Sequence, residues 1–299
     1  MTVRSLIGAL TLVLAGHTMA ADAVDPPLTL PLVTPAAKAE AASETLPQRP
    51  LWELGIGVAG LRLPDYRGSD ESSAYLLPLP FLVYRGTFLK ADRNGARALL
   101  VDAQQVKVDV SVAASTPSRS RDNAARAGMP NLPGTFEIGP NVNITLFGSD
   151  EHKLKLDLRL PLRAAVTLQR SPKGVGATFS PNLNLDIAGV AGGWNVGTLI
   201  AAQFADRQYH AFVYGVDSVY ATPQRAAYSA RGGYAGWNAV LATSRRFSNT
   251  WVGAFVRYDN LRGAVFEDSP LVRRSSGVTL GFGVSWIFAT SSETVPSQD

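Results

Sequence analysis

The 299-residue chain contains no cysteine, so a disulfide framework and any thiolate-ligated metal are excluded. It also lacks any run of about 18 consecutive apolar residues, which excludes a membrane-spanning helix. Charged residues are scarce, 17% of the chain, where soluble domains carry about 25%. Hydrophobic residues nevertheless reach 46%, so the chain is apolar for a water-soluble protein and too polar for a helical membrane protein. The formal charge of +4 is not gathered into any Lys/Arg run or aromatic-basic motif, so no nucleic-acid partner is indicated. No HExxH, P-loop, dinucleotide-binding glycine pattern or calcium loop is present, so neither a metal nor a cofactor is expected.

What is present begins with an export signal. Arg4 is followed by an apolar stretch from Leu6 to Ala15, and Thr18-Met19-Ala20 offers small residues at the cleavage positions, so residues 1–20 read as a signal peptide. Residues 21–50 are rich in Pro and Ala without an apolar period, the composition of a flexible linker.

From Trp52 onward the period is two. Val106, Val108, Val110 and Val112 alternate with Lys107, Asp109, Ser111 and Ala113. Leu154 to Leu162 alternate with Lys155, Asp157, Arg159, Pro161 and Arg163, and Val278 to Phe288 alternate with Thr279, Gly281, Gly283, Ser285 and Ile287. Successive side chains on a strand point to opposite faces, so each stretch has one apolar and one polar or small face. These stretches exceed the usual 5–6 residues of a soluble strand and reach the roughly 9–11 that cross a bilayer.

Turn residues divide 51–288 into twelve expected strands: 52–62, 74–85, 86–93, 96–102, 106–115, 136–147, 153–168, 174–188, 193–204, 234–247, 251–261 and 276–288. Asn94-Gly95 is a two-residue hairpin signal, and Pro78 and Pro80 each remove a ladder donor. All the long connections (63–73, 116–135, 205–233 and 262–275) fall at one end, and the other end has only short turns. An even strand number with segregated loop lengths is the pattern of a bacterial transmembrane antiparallel up-and-down β-barrel. Such a barrel places residues 21–50 and a polar tail, 289–299, in the periplasm.

Aromatics fall at the strand ends: Trp52, Tyr84, Phe147, Trp194, Phe247, Trp251, Trp286 and Phe288 at the short-turn end, and Tyr75, Phe136, Phe204, Tyr234 and Tyr258 at the other. Two interfacial girdles are expected from them. The inward face is expected to carry Lys107, Asp109, Glu137, Asn141, Asn143, Asp157, Arg159, Arg163, Asn182, Asn184, Asp186 and Arg257, which would cost several kcal/mol each in hydrocarbon. Ion pairs among them are expected to plug a narrow barrel.

Several segments resemble one family. They are Leu63 to Glu71 (LPDYRGSDE), Tyr75 to Gly86 (YLLPLPFLVYRG), Phe88 to Asp92, Gly128-Met129-Pro130 leading into Phe136 to Pro140, Phe204 to Arg207 with Tyr209-His210, Tyr214 to Asp217, Gly232 to Gly236 and, above all, Trp251 to Arg273. Together they look like the MipA/OmpV family over nearly all of 51–288. The resemblance implies an outer-membrane barrel of a Gram-negative bacterium without catalytic residues. It also implies a scaffold for a periplasmic lytic transglycosylase and a murein synthase.

Candidate chemistry is sparse. His210 with Ser229 or Ser244 is a conceivable hydrolytic dyad of the kind used on barrel walls, against the plainer reading of a loop histidine bonded to its neighbours. Asp65, Asp70 and Glu71 could hold a cation, though carboxylates among Gly and Ser more often form a solvated turn. Arginines crowd the long loops: Arg67, Arg119, Arg121, Arg126, Arg225, Arg231, Arg262, Arg273 and Arg274. Guanidinium groups match phosphate, so Arg67, Arg262, Arg273 and Arg274 are expected to contact lipopolysaccharide and other outer-membrane lipid. The sequence leaves three functions: a non-enzymatic scaffold, a narrow channel for small polar solutes, and a lipid hydrolase.

Overall fold

The computed structural model describes residues 48–85, 89–92, 95–102, 105–149 and 153–296. The expected signal peptide, most of the linker, His152, Asn94 and the end of the tail lie outside them.

The chain order is β1 (Gln48–Pro50), β2 (Trp52–Pro64), β3 (Ser72–Arg85), β4 (Leu89–Asp92), β5 (Gly95–Asp102), β6 (Val106–Ala114), β7 (Thr135–Ser149), β8 (Leu154–Thr167), β9 (Gly174–Phe179) and β10 (Asn182–Gly189). It continues with the single turn α1 (Val190–Gly193), then β11 (Trp194–Ala205), α2 (Arg207–Tyr214), β12 (Gly233–Phe247), β13 (Thr250–Asn260), β14 (Ser276–Thr290) and β15 (Thr294–Pro296). Thirteen of these strands form one sheet, and each pairs antiparallel with its neighbours. The last strand, β14, pairs with the first of them, β2, and β9 and β10 share the place between β8 and β11. The ladder therefore returns on itself with twelve positions, the expected up-and-down barrel.

The departures from the expected strands have local causes. The 174–188 strand is broken into β9 and β10 at Ser180-Pro181, because proline has no N–H for the ladder. Asp92 pairs with Gly95, so Gly95 belongs to the β4–β5 ladder, and Asn94 lies outside the described residues. Strand β3 pairs with β2 along its full length but with β4 only at Tyr84 and Arg85. Pro78 and Pro80, two apart, pair across from Val58 and Ile56 of β2 and have no N–H to give to the ladder.

Register fixes the two faces. Along β14, Val278, Leu280, Phe282, Val284, Trp286 and Phe288 are exposed, whereas Ser285 and Ile287 are buried. Leu54, Ile56 and Val58 on β2 and Leu183 and Ile200 on neighbouring strands extend the outer apolar belt. An apolar surface of this extent is stable only against lipid. Arginine at Phe282, midway along β14, is expected to destabilise the barrel by about 2–4 kcal/mol, and arginine at Phe288, near the strand end, by about 0–1. Reversible unfolding in lipid vesicles measures both, and equal costs would mean that lipid does not meet this face.

Both ends carry aromatics. Trp194 and Phe247 (6.3 Å) and Trp286 and Phe288 (6.0 Å) meet at the short-turn end. Phe204 and Tyr234 (5.6 Å) and Trp237 and Tyr258 (5.5 Å) meet at the loop end. Two expected members are corrected. Trp251 shares the inward parity of Arg257 and Asp259, and its ring lies 6.0 Å from Phe81. Tyr75 pairs across from Leu61 and faces inward with it. Glycines accommodate the inward rings: a Cβ at Gly253 would collide with Trp251, and one at Gly281 with Phe255.

A second, two-stranded ribbon lies at the short-turn end, where β1 pairs antiparallel with β15. The end of the expected linker and the middle of the expected tail are thus tied together, joined also by the Leu51 N–H on the Glu293 carbonyl at 2.8 Å, while the tail's first residues, Ala289 and Thr290, complete β14.

Candidate functional site

The long loops do not project freely. Residues 65–71, 115–134, 206–232 and 261–275 fold together over the loop end of the barrel and share a core of Tyr66, Leu132, Val213, Tyr214, Leu261, Phe266 and Leu271. The 206–232 loop carries α2, which starts where Asp206 accepts the Tyr209 N–H (2.8 Å) and stops before Gly215. Its inner side buries His210, Val213 and Tyr214. Tyr214 stacks on Phe266 at 3.7 Å and 11°. Tyr214 Oη donates to the Arg67 carbonyl (2.9 Å), Tyr66 Oη to the Leu271 carbonyl (2.8 Å) and Ser269 Oγ to the Tyr214 carbonyl (2.8 Å). Burial pushes the Tyr66 hydroxyl up to about 12 and raises Tyr214 further, so both act as neutral donors.

Several loop arginines are taken up by the cap or the lumen, and of the four expected at lipid Arg67 is one of these. Arg225 donates to the carbonyls of Tyr220, Ala125 and Ala127. Arg126 donates to the Val213 carbonyl at 3.0 Å and lies over the Tyr66 ring, and burial lowers its pKa. Arg67 turns into the barrel, with Nε on Asp259 at 2.8 Å. Guanidinium groups here satisfy loop carbonyls that have no ladder partner. Arg262, Arg273 and Arg274 are exposed, as are Arg119, Arg121 and Arg231. The acidic turn also serves the cap. Asp65 accepts from Ser73 and Asn123, Glu71 from the Ala124 N–H, and Asp70 lies 3.9 Å from Arg273. Among the described residues no cluster could hold a metal ion.

His210 is 1% exposed and edge-on to Phe266 at 4.6 Å. Its Nδ1–H donates to the Arg231 carbonyl at 2.7 Å, and its Nε2 has no partner. Neither Ser229 nor Ser244 bonds it, so the structure does not bring the conceivable dyad together. Desolvation by burial holds the imidazole pKa below its usual value. The open cap takes up the proton at the ordinary value of about 6.5 and the closed cap only at lower pH. Cap stability is therefore flat above about pH 6.5 and falls as pH drops below it. His210→Phe is expected to flatten that slope, measured as the rate of proteolytic cutting in 206–232 between about pH 5 and 7. An unchanged slope would assign the acid sensitivity to other groups.

Below the cap the inner wall carries several polar networks. Asp109 accepts from Asn141 (2.9 Å) and Asn143 (2.7 Å), with Lys107 on the same face of β6. Asp157 accepts from Thr145 and Lys155, and Arg159 lies 3.7 Å from Asp157 and 3.6 Å from Asp186. Arg257 and Arg67 converge on Asp259. Near the short-turn end Glu53 joins Arg85 of the neighbouring strand β3 and Arg246 of β12. Arg163 donates to Ser111 Oγ through Nε and Nη2 at 2.9 and 2.7 Å. Glu137 accepts from Thr178 (2.8 Å) and Tyr209 (3.0 Å).

A closed barrel with an apolar belt outside, a polar wall inside and aromatic girdles at both ends defines an outer-membrane β-barrel protein. Residues 56–288 match the family described as MltA-interacting protein MipA, and the chain belongs to that family. No curated protein matches the sequence. Among solved structures, a bacterial polysaccharide outer membrane secretin is 9% identical, with 79% of this chain and 99% of that one covered and a TM-score of 0.39. The NanC porin is 12% identical, with 77% and 98% covered and a TM-score of 0.36. OprB of Pseudomonas putida is 9% identical, with 79% and 94% covered and a TM-score of 0.34. Likeness at that level carries nothing about the role of this chain.

Proposed function

We propose that the protein is a non-enzymatic barrel that holds periplasmic murein enzymes, a lytic transglycosylase among them, at the outer membrane. The observation that carries this reading is the asymmetry of the two ends. The loop end is closed by a cap with its own core, and the short-turn end presents both terminal segments paired as β1 and β15. A capped, ion-paired lumen suits a fixed anchor better than free diffusion, and the paired termini offer a periplasmic handle. Membership of the MipA family supports the class of partner. The exposure of Arg262, Arg273 and Arg274 in the loops supports contact with lipopolysaccharide phosphates at the outer surface.

The test is a crosslinking pull-down from intact cells with the tagged protein in its own membrane. The reading expects a lytic transglycosylase or murein synthase to be recovered, and to be lost on deleting 22–50 or 289–299. Recovery of neither, in cells that make both, would turn the assignment to a narrow channel for small polar solutes, for which single-channel recording is the measurement. Loss of co-purified lipopolysaccharide on replacing Arg273 and Arg274 tests the lipid contacts, and unchanged lipid removes them.

A further inference from the structure

Between the cap and the upper lumen lies a cavity of about 600 Å³, within the roughly 300–1,000 Å³ of small-molecule sites. Leu61, Leu199, Val240 and Phe255 give it an apolar side, and Asn182, Asn238 and Gln203 a hydrogen-bonding one. Three guanidinium groups reach it. Arg67 and Arg257 share the single carboxylate of Asp259, and Nη2 of Arg67 is buried with no acceptor. Arg163 has no carboxylate within ion-pair distance among the described residues; both of its hydrogen bonds end on the Ser111 hydroxyl. Gly139 allows this arrangement. It pairs across from Ser111, and any Cβ there would collide with the β8 backbone at Leu162, so β8 can approach closely enough for Arg163 to reach over β7.

The other carboxylates at the wall already have donors: Glu137 has Thr178 and Tyr209, and Asp65 has Ser73 and Asn123. The wall is thus short of an acceptor for its guanidinium groups.

We propose that the cavity binds a small hydroxylated carboxylate. Arg163, oriented by Ser111, takes the carboxylate. Gln203 and Asn238 hydrogen-bond to hydroxyl groups, and the apolar side covers the carbon chain. The site stands apart from the scaffold reading: it needs no protein partner and lies within the barrel.

The probe is sodium D-gluconate, titrated calorimetrically into the protein folded in detergent micelles, with D-sorbitol as the matching polyol that has no carboxylate. Gluconate is expected to bind, and sorbitol to bind at least about tenfold more weakly, as loss of a charge-assisted hydrogen bond implies. Arg163→Gln should weaken gluconate by about tenfold or more and leave sorbitol unchanged, and Arg163→Lys should recover part of the loss. Heat-dependent gel mobility reports whether each variant is folded. If Arg163→Gln fails to fold, Ser111→Ala keeps the charge and removes its orientation, and a several-fold loss is expected. The proposal is overturned if gluconate and sorbitol give the same heats, or if a folded Arg163→Gln or, in its place, Ser111→Ala binds gluconate as the wild type does.

Discussion

Phe266→Ala is expected to open the cap while leaving the barrel folded. Phe266 is 1% exposed and is held between Tyr214, stacked at 3.7 Å, and the edge of His210 at 4.6 Å. Removing a buried phenylalanine ring costs about 3–5 kcal/mol through lost transfer energy and the cavity left behind. That cost falls on the loops, because the strands are held by a continuous ladder in which Phe266 takes no part. Each 1.4 kcal/mol is about a factor of ten in the open population, so proteolytic cutting within 206–232 should speed up by at least about a hundredfold where cutting follows that population. The folded barrel should keep its gel mobility, and planar-bilayer conductance should rise from the wild-type level. Phe266→Leu, which keeps most of the volume, should show a smaller effect of the same kind. If the alanine variant is cut no faster than the wild type, the shared core does not hold the loops, and closure of the outer mouth must be assigned to the arginine and tyrosine bonds to loop carbonyls.

The barrel was readable because a strand in a membrane has only two environments. The alternation from Val278 to Phe288 separates lipid from lumen one residue at a time, and the lengths of the connections separate the two ends. The cap was hidden for the opposite reason. Tyr66, Leu132, Val213, Phe266 and Leu271 follow no period, and they meet through contacts such as Tyr66 to Leu271 that span 205 residues. The available signal was the apolar content of loops that would otherwise face water, as in Phe212-Val213-Tyr214 and Ala264-Val265-Phe266. Arginine was ambiguous in the same region. Nothing in the sequence distinguishes Arg126 and Arg225, which bind carbonyls inside the cap, from Arg273 and Arg274, which are exposed. Trp251 misled because its place at a strand end matched the girdle, whereas its parity with Arg257 and Asp259 put it inside. The opposing Gly281 and Gly283 on β14 were the clue that the lumen makes room for large rings on that side. The lumen network was legible as a set of polar positions, but its pairings depend on register. Arg163 is bonded across β7 to Ser111 rather than to a carboxylate.

Glu53→Ala is expected to be the largest single loss at the short-turn end. Glu53 is 1% exposed at the start of β2, and its carboxylate meets Arg246 from β12 and Arg85 from β3. Strand β12 is separated from β2 by β13 and β14, so the contact crosses the lumen floor instead of following the ladder. It therefore ties walls about a quarter turn apart, across the seam where the first and last strands must find each other. Removing one member of a buried ion pair costs about 3–5 kcal/mol, because the remaining charge keeps its desolvation penalty without its partner. The Arg246 side chain is 36% exposed, and water screens part of that penalty, so a value near the lower end, about 3 kcal/mol, is expected. Glu53→Gln keeps an acceptor and the side-chain volume and should fall between alanine and wild type. The decisive comparison is a double-mutant cycle with Arg246→Ala, read by urea unfolding in lipid vesicles. The double variant should be less destabilised than the sum of the two single changes by about 1–3 kcal/mol, as coupled neighbours are. Strict additivity would mean that Glu53 stabilises the floor through burial alone, and the tie across the seam would then have to be credited to Arg85 and the packing of Phe81 against Trp251.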